Sequence, residues 1–418
     1  MKKLLAATCI AMSLASAVIL PSCDINGLNA GNTGGQNGYS SKEAYYSKFN
    51  TIATLHVTDN FNDDAVTDKL LSIKDDVQAY LDSLESSLST SVESSYVSLF
   101  NAADAGATVE IDEMTYTVLS LACDMYEYTQ GYYNPAVYYS VDLYGFTPRF
   151  SNYTGYADIS TKMPYDRTEK VNTTTYVTRG IEPDEHYVEI FRDLASHFGE
   201  IELKEEGGSY YAVKPEYTVE GLYGDTYSLA LDLGGIGKGY AVDKVSAIMS
   251  DYGFEYGFFE FGRSSYSIKG SRTSENGKWN MSISDPSTMG WTDFAQIELA
   301  NICLSTSGDY EKAYSVGDTT YCHIINPMTG SPIQTGIASC TITGRTAAED
   351  DALTTALSAM GKERAVQFIN ENLSDMQVII MMRNADGSCT DIITNCPQEL
   401  KVLSGGIINT VSGGKIIL

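Results

Sequence analysis

Between Asp232 and Gly239 the chain reads Asp-Leu-Gly-Gly-Ile-Gly-Lys-Gly. Upstream, Leu229-Ala230-Leu231-Asp232-Leu233 predicts a strand. Downstream, Val242, Val245 and Met249 recur at helical spacing as far as Gly253. A strand-to-helix turn so rich in glycine lets backbone approach a ligand closely, and N–H groups at a helix start favour phosphate. Lys238 adds a positive charge. Two phosphate motifs fail here. A P-loop needs glycine six residues before its lysine and a hydroxyl just after it, but those places hold Asp232 and Gly239. The dinucleotide fingerprint would run Gly235, Gly237 and then Tyr240, which is not glycine. On the glycines alone, a tight structural turn and a phosphate cradle stand level.

The first residues read as an address. Lys2 and Lys3 precede an apolar run from Leu4 to Leu20, followed by Pro21-Ser22-Cys23. Residues 1–22 are thus expected to be a lipoprotein signal peptide, with Cys23 the lipidated N-terminus. Pro21 departs from the usual pattern, and Ala15-Ser16-Ala17 offers a plain cleavage site inside the apolar run. Residues 23–42 are dominated by Asn, Gly, Ser and Gln, which cannot bury apolar surface, and so predict a flexible tether. The expected location is a bacterial cell membrane, lipid-anchored and facing the periplasm or exterior.

Residues 43–418 are expected to form one large body. Hydrophobic residues make up 43% of the chain, enough for a substantial core. A net charge of −27 argues against nucleic-acid partners, which require Lys and Arg clusters. Cys123, Cys303, Cys322, Cys340, Cys389 and Cys396 form no C-x-x-C pair, so a zinc site is not expected. His56, His186, His197 and His323 are too few for a multi-histidine centre.

Phe49 to Thr58 predicts a first strand. Leu70, Ile73, Val77, Tyr80, Leu84 and Leu88 then predict a long amphipathic helix. A second helix starts after Asp112, a fitting N-cap, and ends at Gly131. Residues 150–220 carry one short helical pattern, Tyr187 to Phe198, and are read as a possible insertion with an exposed loop at Asp166–Thr178. Strand signals follow at Gly257–Phe261, Tyr266–Ile268, Trp279–Ile283 and Ala295–Leu299. Helices are expected at Asp350–Met360 and Lys362–Asn370, and a strand at Met376–Met381. The fold class is α+β, with a mixed or antiparallel sheet core flanked by helices.

Two further constellations join the glycine segment. Ser305-Thr306-Ser307-Gly308-Asp309-Tyr310 precedes Cys322-His323-Ile324-Ile325-Asn326-Pro327. Ser307 lacks a G-x-S-x-G elbow, so it is not read as a hydrolase nucleophile. Asp351 and Thr355 lie one helical turn apart and offer hard oxygen ligands suited to Mg²⁺. Taken alone, a capping Asp and a buried Thr explain that pair better.

In this order and spacing the three constellations resemble the ApbE family, the FAD:protein FMN transferases. Phe49-Asn50-Thr51, Gly131-Tyr132-Tyr133-Asn134-Pro135-Ala136, Leu143-Tyr144-Gly145-Phe146 and Trp279 to Pro286 are similar to its other motifs. The likeness runs from about Phe49 to Phe368. It implies FAD as substrate, Mg²⁺ as cofactor, and FMN transfer to Ser or Thr of exported redox proteins with release of AMP. By the same likeness, Gly235 (through its carbonyl), Asp351 and Thr355 hold the metal. Ser91, Tyr132, Tyr133, Asn134, Asp232, Lys238, His323 and Ile324 border FAD. Asp351 or His323 takes the acceptor proton. Three positions depart from the pattern: Arg263 replaces the second glycine of a Gly-Gly pair, Asn326 an aspartate, and Ser91 a stacking aromatic. An FAD pyrophosphatase and a non-catalytic FAD-binding lipoprotein remain as alternatives.

Overall fold

The computed structural model describes residues 39–417 except 61–62, 148–155, 159–166, 172–173, 179–184, 223, 272–273, 275, 317–318, 345, 404 and 413–414. The expected signal peptide, Cys23 and the tether up to residue 38 lie outside the described residues.

One nine-stranded sheet organises the body. Its strands are Tyr39–Lys48 (β1), Thr51–Asn60 (β2), Gly257–Phe261 (β3), Ser265–Ile268 (β4), Ile302–Gly308 (β5), Ile337–Gly344 (β6), Gln377–Met382 (β7), Asp391–Thr394 (β8) and Ile407–Ile408 (β9). Spatial order follows chain order. Every neighbouring pair is antiparallel except β8 and β9, which run parallel. Six helices fall between β2 and β3: Asp63–Leu88 (α1), Tyr96–Ala102 (α2), Glu113–Tyr128 (α3), Tyr138–Leu143 (α4), Glu185–Ser196 (α5) and Gly234–Asp251 (α6). Ala347–Met360 (α7) and Lys362–Asn372 (α8) connect β6 to β7. The α+β expectation holds.

The sheet carries a core on each face, as strand alternation dictates. Inward, Leu55, Val57, Phe259, Phe261, Ile342 and Ile380 pack with the apolar stripe of α1, where Leu70, Ile73, Val77 and Leu84 are fully buried. Outward, Ile268, Leu304, Ile379 and Met381 pack beneath a small sheet of Trp279–Ser284, Asp293–Leu299 and Leu400–Val402. Asp112 caps α3 as expected, accepting from the Thr115 N–H at 2.8 Å.

Four expectations need correction. Residues 39–42, expected to belong to the tether, are strand, because Tyr39–Lys48 pairs along its length with β2 and turns Ala44 and Tyr46 onto the core. Phe49 and Asn50 are consequently the turn of that hairpin, at φ 49° and 57°, and the next strand starts at Thr51. Leu229–Leu233 joins no sheet, for reasons given below. The loop expected at Asp166–Thr178 contains strands Arg167–Val171 and Thr174–Thr178, paired antiparallel, with Tyr156–Asp158 on the far side. Its Thr-Thr-Thr-Tyr-Val run has the β-branched and aromatic character of a strand. Ser209–Val213 also pairs with Thr108–Ile111, so the end of the 150–220 region is built into the body.

Candidate functional site

The glycine segment is positioned by side chains and not by a sheet partner. Asn101, at the end of α2, accepts from the Leu231 N–H at 2.7 Å and donates to the Leu231 carbonyl at 2.9 Å. The Asp232 N–H donates to the Pro135 carbonyl at 2.8 Å. Buried Lys214 fixes the end of α2 by donating to the carbonyls of Phe100, Asn101 and Ala103. With those backbone groups satisfied, Leu229–Leu233 has no need of a neighbouring strand.

The glycines lie inside the first turns of α6, so the helix begins earlier than the sequence pattern implies. Asp232 accepts from the Gly234 N–H at 2.8 Å and closes the start of the helix. Gly239 is the contact point with α7. A methyl there would fall 2.1 Å from the Ala347 carbonyl oxygen, so only glycine lets the two backbones touch. Asp243 accepts from the N–H groups of Ala347 and Ala348 at 2.7 and 3.0 Å, capping α7 from α6. Small residues on β5 let α7 approach the sheet. Ser305 donates to the Ala347 carbonyl at 3.3 Å, and Ser307 lies 2.9 Å from the Thr354 hydroxyl and 3.4 Å from that of Thr355.

This packing brings the sequence-predicted metal residues together. Asp351 is only 2% exposed. The Lys238 ammonium lies 3.3 Å from both its oxygens, and the Gly239 N–H donates to one of them at 3.1 Å. The Thr355 hydroxyl donates to the Asp351 carbonyl at 3.1 Å. Gly235 faces Thr355, since a methyl on it would lie 3.4 Å from the Thr355 hydroxyl and 3.4 Å from the Tyr133 ring. Asp351, Thr355 and the Gly235 carbonyl are all oxygen donors. Among the described residues no three His, Cys, Asp or Glu side chains cluster. A single carboxylate with neutral oxygens fits Mg²⁺, which usually takes one or two carboxylates plus substrate phosphates. It does not fit zinc. The Lys238 ammonium stands where the positive charge is needed.

Other charged groups act on this pair. Crowding by protein lowers the Lys238 pKa, but Asp351, Glu311 and Asp232 together outweigh that and raise it. Glu311 is exposed, yet desolvation by neighbouring protein raises its carboxyl to about 7. Asp351 pushes in the same direction, whereas Lys238, Lys312 and Arg263 oppose it. His323 is held down to about 3 by burial, Lys312 and Lys238, and its Nδ1 has no hydrogen-bond partner.

A family model described as the ApbE family matches residues 49–380. The chain belongs to the ApbE family. It is accordingly an enzyme of the flavin transferase class. The FAD:protein FMN transferase of Vibrio cholerae is 26% identical over 318 residues, which cover 76% of this chain and 81% of that protein. The protein of the same name from Escherichia coli K12 is 31% identical over 150 residues, 35% of this chain and 41% of its own length. Among solved structures, flavin transferase ApbE from Vibrio cholerae superposes with a TM-score of 0.60 at 22% identity, covering 84% of this chain and 96% of that one. The ApbE protein of Thermotoga maritima gives 0.62 at 22% identity, with the same coverage. At that identity the superpositions establish the ApbE fold.

The remaining sequence-predicted residues take different positions around the pair. Tyr132 packs against the cluster containing Ile324, so the Gly131 segment and the His323 turn meet. Tyr133 is buried beneath Gly235, its hydroxyl without a partner, so it supports the cleft floor. Asn134 spends both ends of its amide on the fold, donating to the Ala195 carbonyl and accepting from the Ala136 N–H. Ser91 is exposed in the turn after α1, whose last residue, Leu88, packs at Gly237. Asn326 likewise serves the fold, donating to the Ala359 carbonyl and accepting from the Met328 N–H. Sequence reasoning missed Glu311 and the hydroxyl of Ser307. The one available signal was their place within Ser307-Gly308-Asp309-Tyr310-Glu311. Asp309 accepts from Arg383 at 3.0 Å, which anchors that segment to the end of β7.

Proposed function

We propose that this chain moves FMN from FAD onto a Ser or Thr hydroxyl of an exported redox protein, with Mg²⁺, and releases AMP. The observation that carries the reading is the Lys238–Asp351 pair between α6 and α7, with Asp351 buried, Lys238 partly exposed, and Thr355 and Gly235 beside it. The acceptor oxygen forms a bond to the FMN phosphorus. The bond from that phosphorus to the bridging oxygen breaks, and AMP departs with the electron pair. Mg²⁺ held by Gly235, Asp351 and Thr355 would stabilise charge on the diphosphate oxygens. Lys238 adds a fixed positive charge at the same place, where preorganised charge stabilises the transition state most.

The acceptor proton needs a base. His323 binds a proton too weakly at a pKa of about 3. Asp351 is committed to Lys238 and the Gly239 N–H. Glu311, whose charge interacts with both Lys238 and Asp351, has a carboxyl raised to about 7, the proton affinity a general base needs near neutral pH. We assign it that role in place of Asp351 or His323.

Incubation of the soluble body with FAD, Mg²⁺ and a candidate acceptor domain tests the reading. AMP together with covalently yellow acceptor is expected. AMP without labelled protein would turn the assignment to an FAD pyrophosphatase, and bound flavin without AMP to a binding protein.

The same reading places the enzyme on a bacterial membrane through lipid on Cys23, among cell-envelope acceptors. Metabolic labelling with a fatty-acid analogue should mark the natural chain and spare Cys23→Ser. Equal label in both would overturn the anchor.

A further inference from the structure

The outer face of the sheet holds a second cleft away from the Lys238–Asp351 pair. Register aligns two rows across it. Tyr45, Thr54, Glu260 and Tyr266 form one, and Glu43, His56 and Phe258 form the next. Trp279 and its strand overhang both rows and complete a cleft of about 380 Å³.

Glu260 and Thr54 are its buried polar groups, and Glu260 is only partly matched. Glu260 is 9% exposed, and one of its oxygens accepts from the Thr54 hydroxyl at 2.7 Å. The other oxygen has no hydrogen-bond partner. Burial raises the Glu260 pKa, while Thr54 and nearby Arg263 and Tyr266 oppose the rise. Glu43 accepts from the Tyr45 hydroxyl and pairs with His56 Nδ1 at 2.8 Å, which holds its carboxyl below the usual range. Aromatic rings wall the cleft. Trp279 meets Phe258 edge-on at 5.3 Å between centroids, and Tyr266 lies 6.2 Å from Phe258. Two carboxylates thus face one guanidinium. That guanidinium, on Arg263, lies at the end nearest the flavin-transfer site, where it also acts on Glu311.

We propose that this cleft binds an organic cation, an alkylammonium or alkylguanidinium head, between Glu260 and Glu43 and the walls of Phe258, Tyr266 and Trp279. Carboxylate pairing and aromatic faces are the two features that recognise such a head over a neutral or anionic one. The free Glu260 oxygen accepts its N–H, and the rings cover its carbon stem. A bare divalent ion would leave those rings without a role. The inference stands apart from flavin transfer, since it needs neither FAD nor Mg²⁺.

Calorimetric titration of the soluble body with butylammonium chloride, and with butanol as the neutral control, tests it. Butylammonium should bind at least about tenfold more tightly than butanol, and Glu260→Gln should remove that preference. FAD affinity should be the same in the variant and the natural protein. Should Glu260→Gln fail to fold, Trp279→Leu is expected to weaken butylammonium by about tenfold while sparing FAD. Equal binding of butanol and butylammonium, or undiminished preference in a folded variant, would overturn the proposal. The source of the cation is read with Gly-Lys-Gly amide against Gly-Gln-Gly amide. A lysine peptide that binds about tenfold more tightly than butylammonium assigns the cleft to a protein side chain, and equal affinity assigns it to a free amine.

Discussion

The two faces of the main sheet solve opposite problems. On the inner face, β4 and β5 present Ser267, Ser305 and Ser307, small residues against which α6 and α7 settle by hydroxyl contacts. Helix backbones touch at Gly239, and the charged pair Lys238–Asp351 is fixed to within one hydrogen-bonding geometry. On the outer face of β1 to β4, large rings and two carboxylates surround open space. One face is closed so that charge is held in place. The other leaves a buried carboxylate oxygen unmatched, a cost that needs a ligand to offset it. Buried polar atoms go unmatched on both faces, the Tyr133 hydroxyl among the inner ones, but only on the outer face does one of them, on Glu260, open onto a cleft.

This contrast can be broken by substitution, beginning where the effect is largest. Asp351→Ala should lower flavin transfer by on the order of 1000-fold and remove its dependence on Mg²⁺, as followed by AMP release. The thermal midpoint should fall as well, because the Gly239 N–H and the Lys238 ammonium lose their partner, so activity is compared at a temperature where the variant is folded. Retained Mg²⁺-dependent activity would show that the inner face does not hold the metal. Gly239→Ala should cost about 3 kcal/mol of stability, measured by denaturant unfolding, because the methyl meets backbone that cannot yield. A neutral result would mean that α6 and α7 slide freely and the inner face is not closed.

Glu311→Gln should slow transfer by about 100-fold at neutral pH. The sign of its pH effect follows from a raised pKa. The carboxylate that accepts a proton is populated only as pH rises through about 7, so activity should climb across that window and not near 4.5. The variant should flatten that climb, and an unchanged profile would remove Glu311 from the reaction. The smallest effect belongs to the outer face. Thr54→Val removes the hydroxyl that donates to Glu260 at 2.7 Å and should cost about 1 kcal/mol in the same unfolding experiment. A larger loss there than at Gly239 would reverse the comparison.

Sequence patterns reached the inner face far better than the outer one. The α1 stripe, the Asp112 cap, four central strands and the Asp351/Thr355 turn all follow from local periodicity or spacing. So does the place of Lys238 beside the start of a helix. What stayed hidden depends on distant partners. Tyr39–Lys48 looks polar until β2 is beside it, because only alternate residues turn inward. Leu229–Leu233 has the composition of a strand, yet Asn101 and Pro135 take up its backbone groups. Tyr133 and Asn134 sit in a family-like motif, but the fold itself uses both. Glu260 and Glu311 carry no motif. Their character arises from burial and from charges brought near by tertiary structure, which no spacing along the chain encodes.

The chain-order sheet has one consequence for how the protein is made. β1, β2 and α1 are contiguous and can assemble early as a local unit. The open edge of β2 is then filled by β3, and the Thr54–Glu260 bond across that junction spans 206 residues. Closing so long a loop is slow, and an unpaired strand edge waits meanwhile as a template for the wrong partner. The six helices described between β2 and β3 must be synthesised before the right partner arrives. The rate at which β3 docks, more than the stability of either core, is therefore expected to govern the yield of folded enzyme.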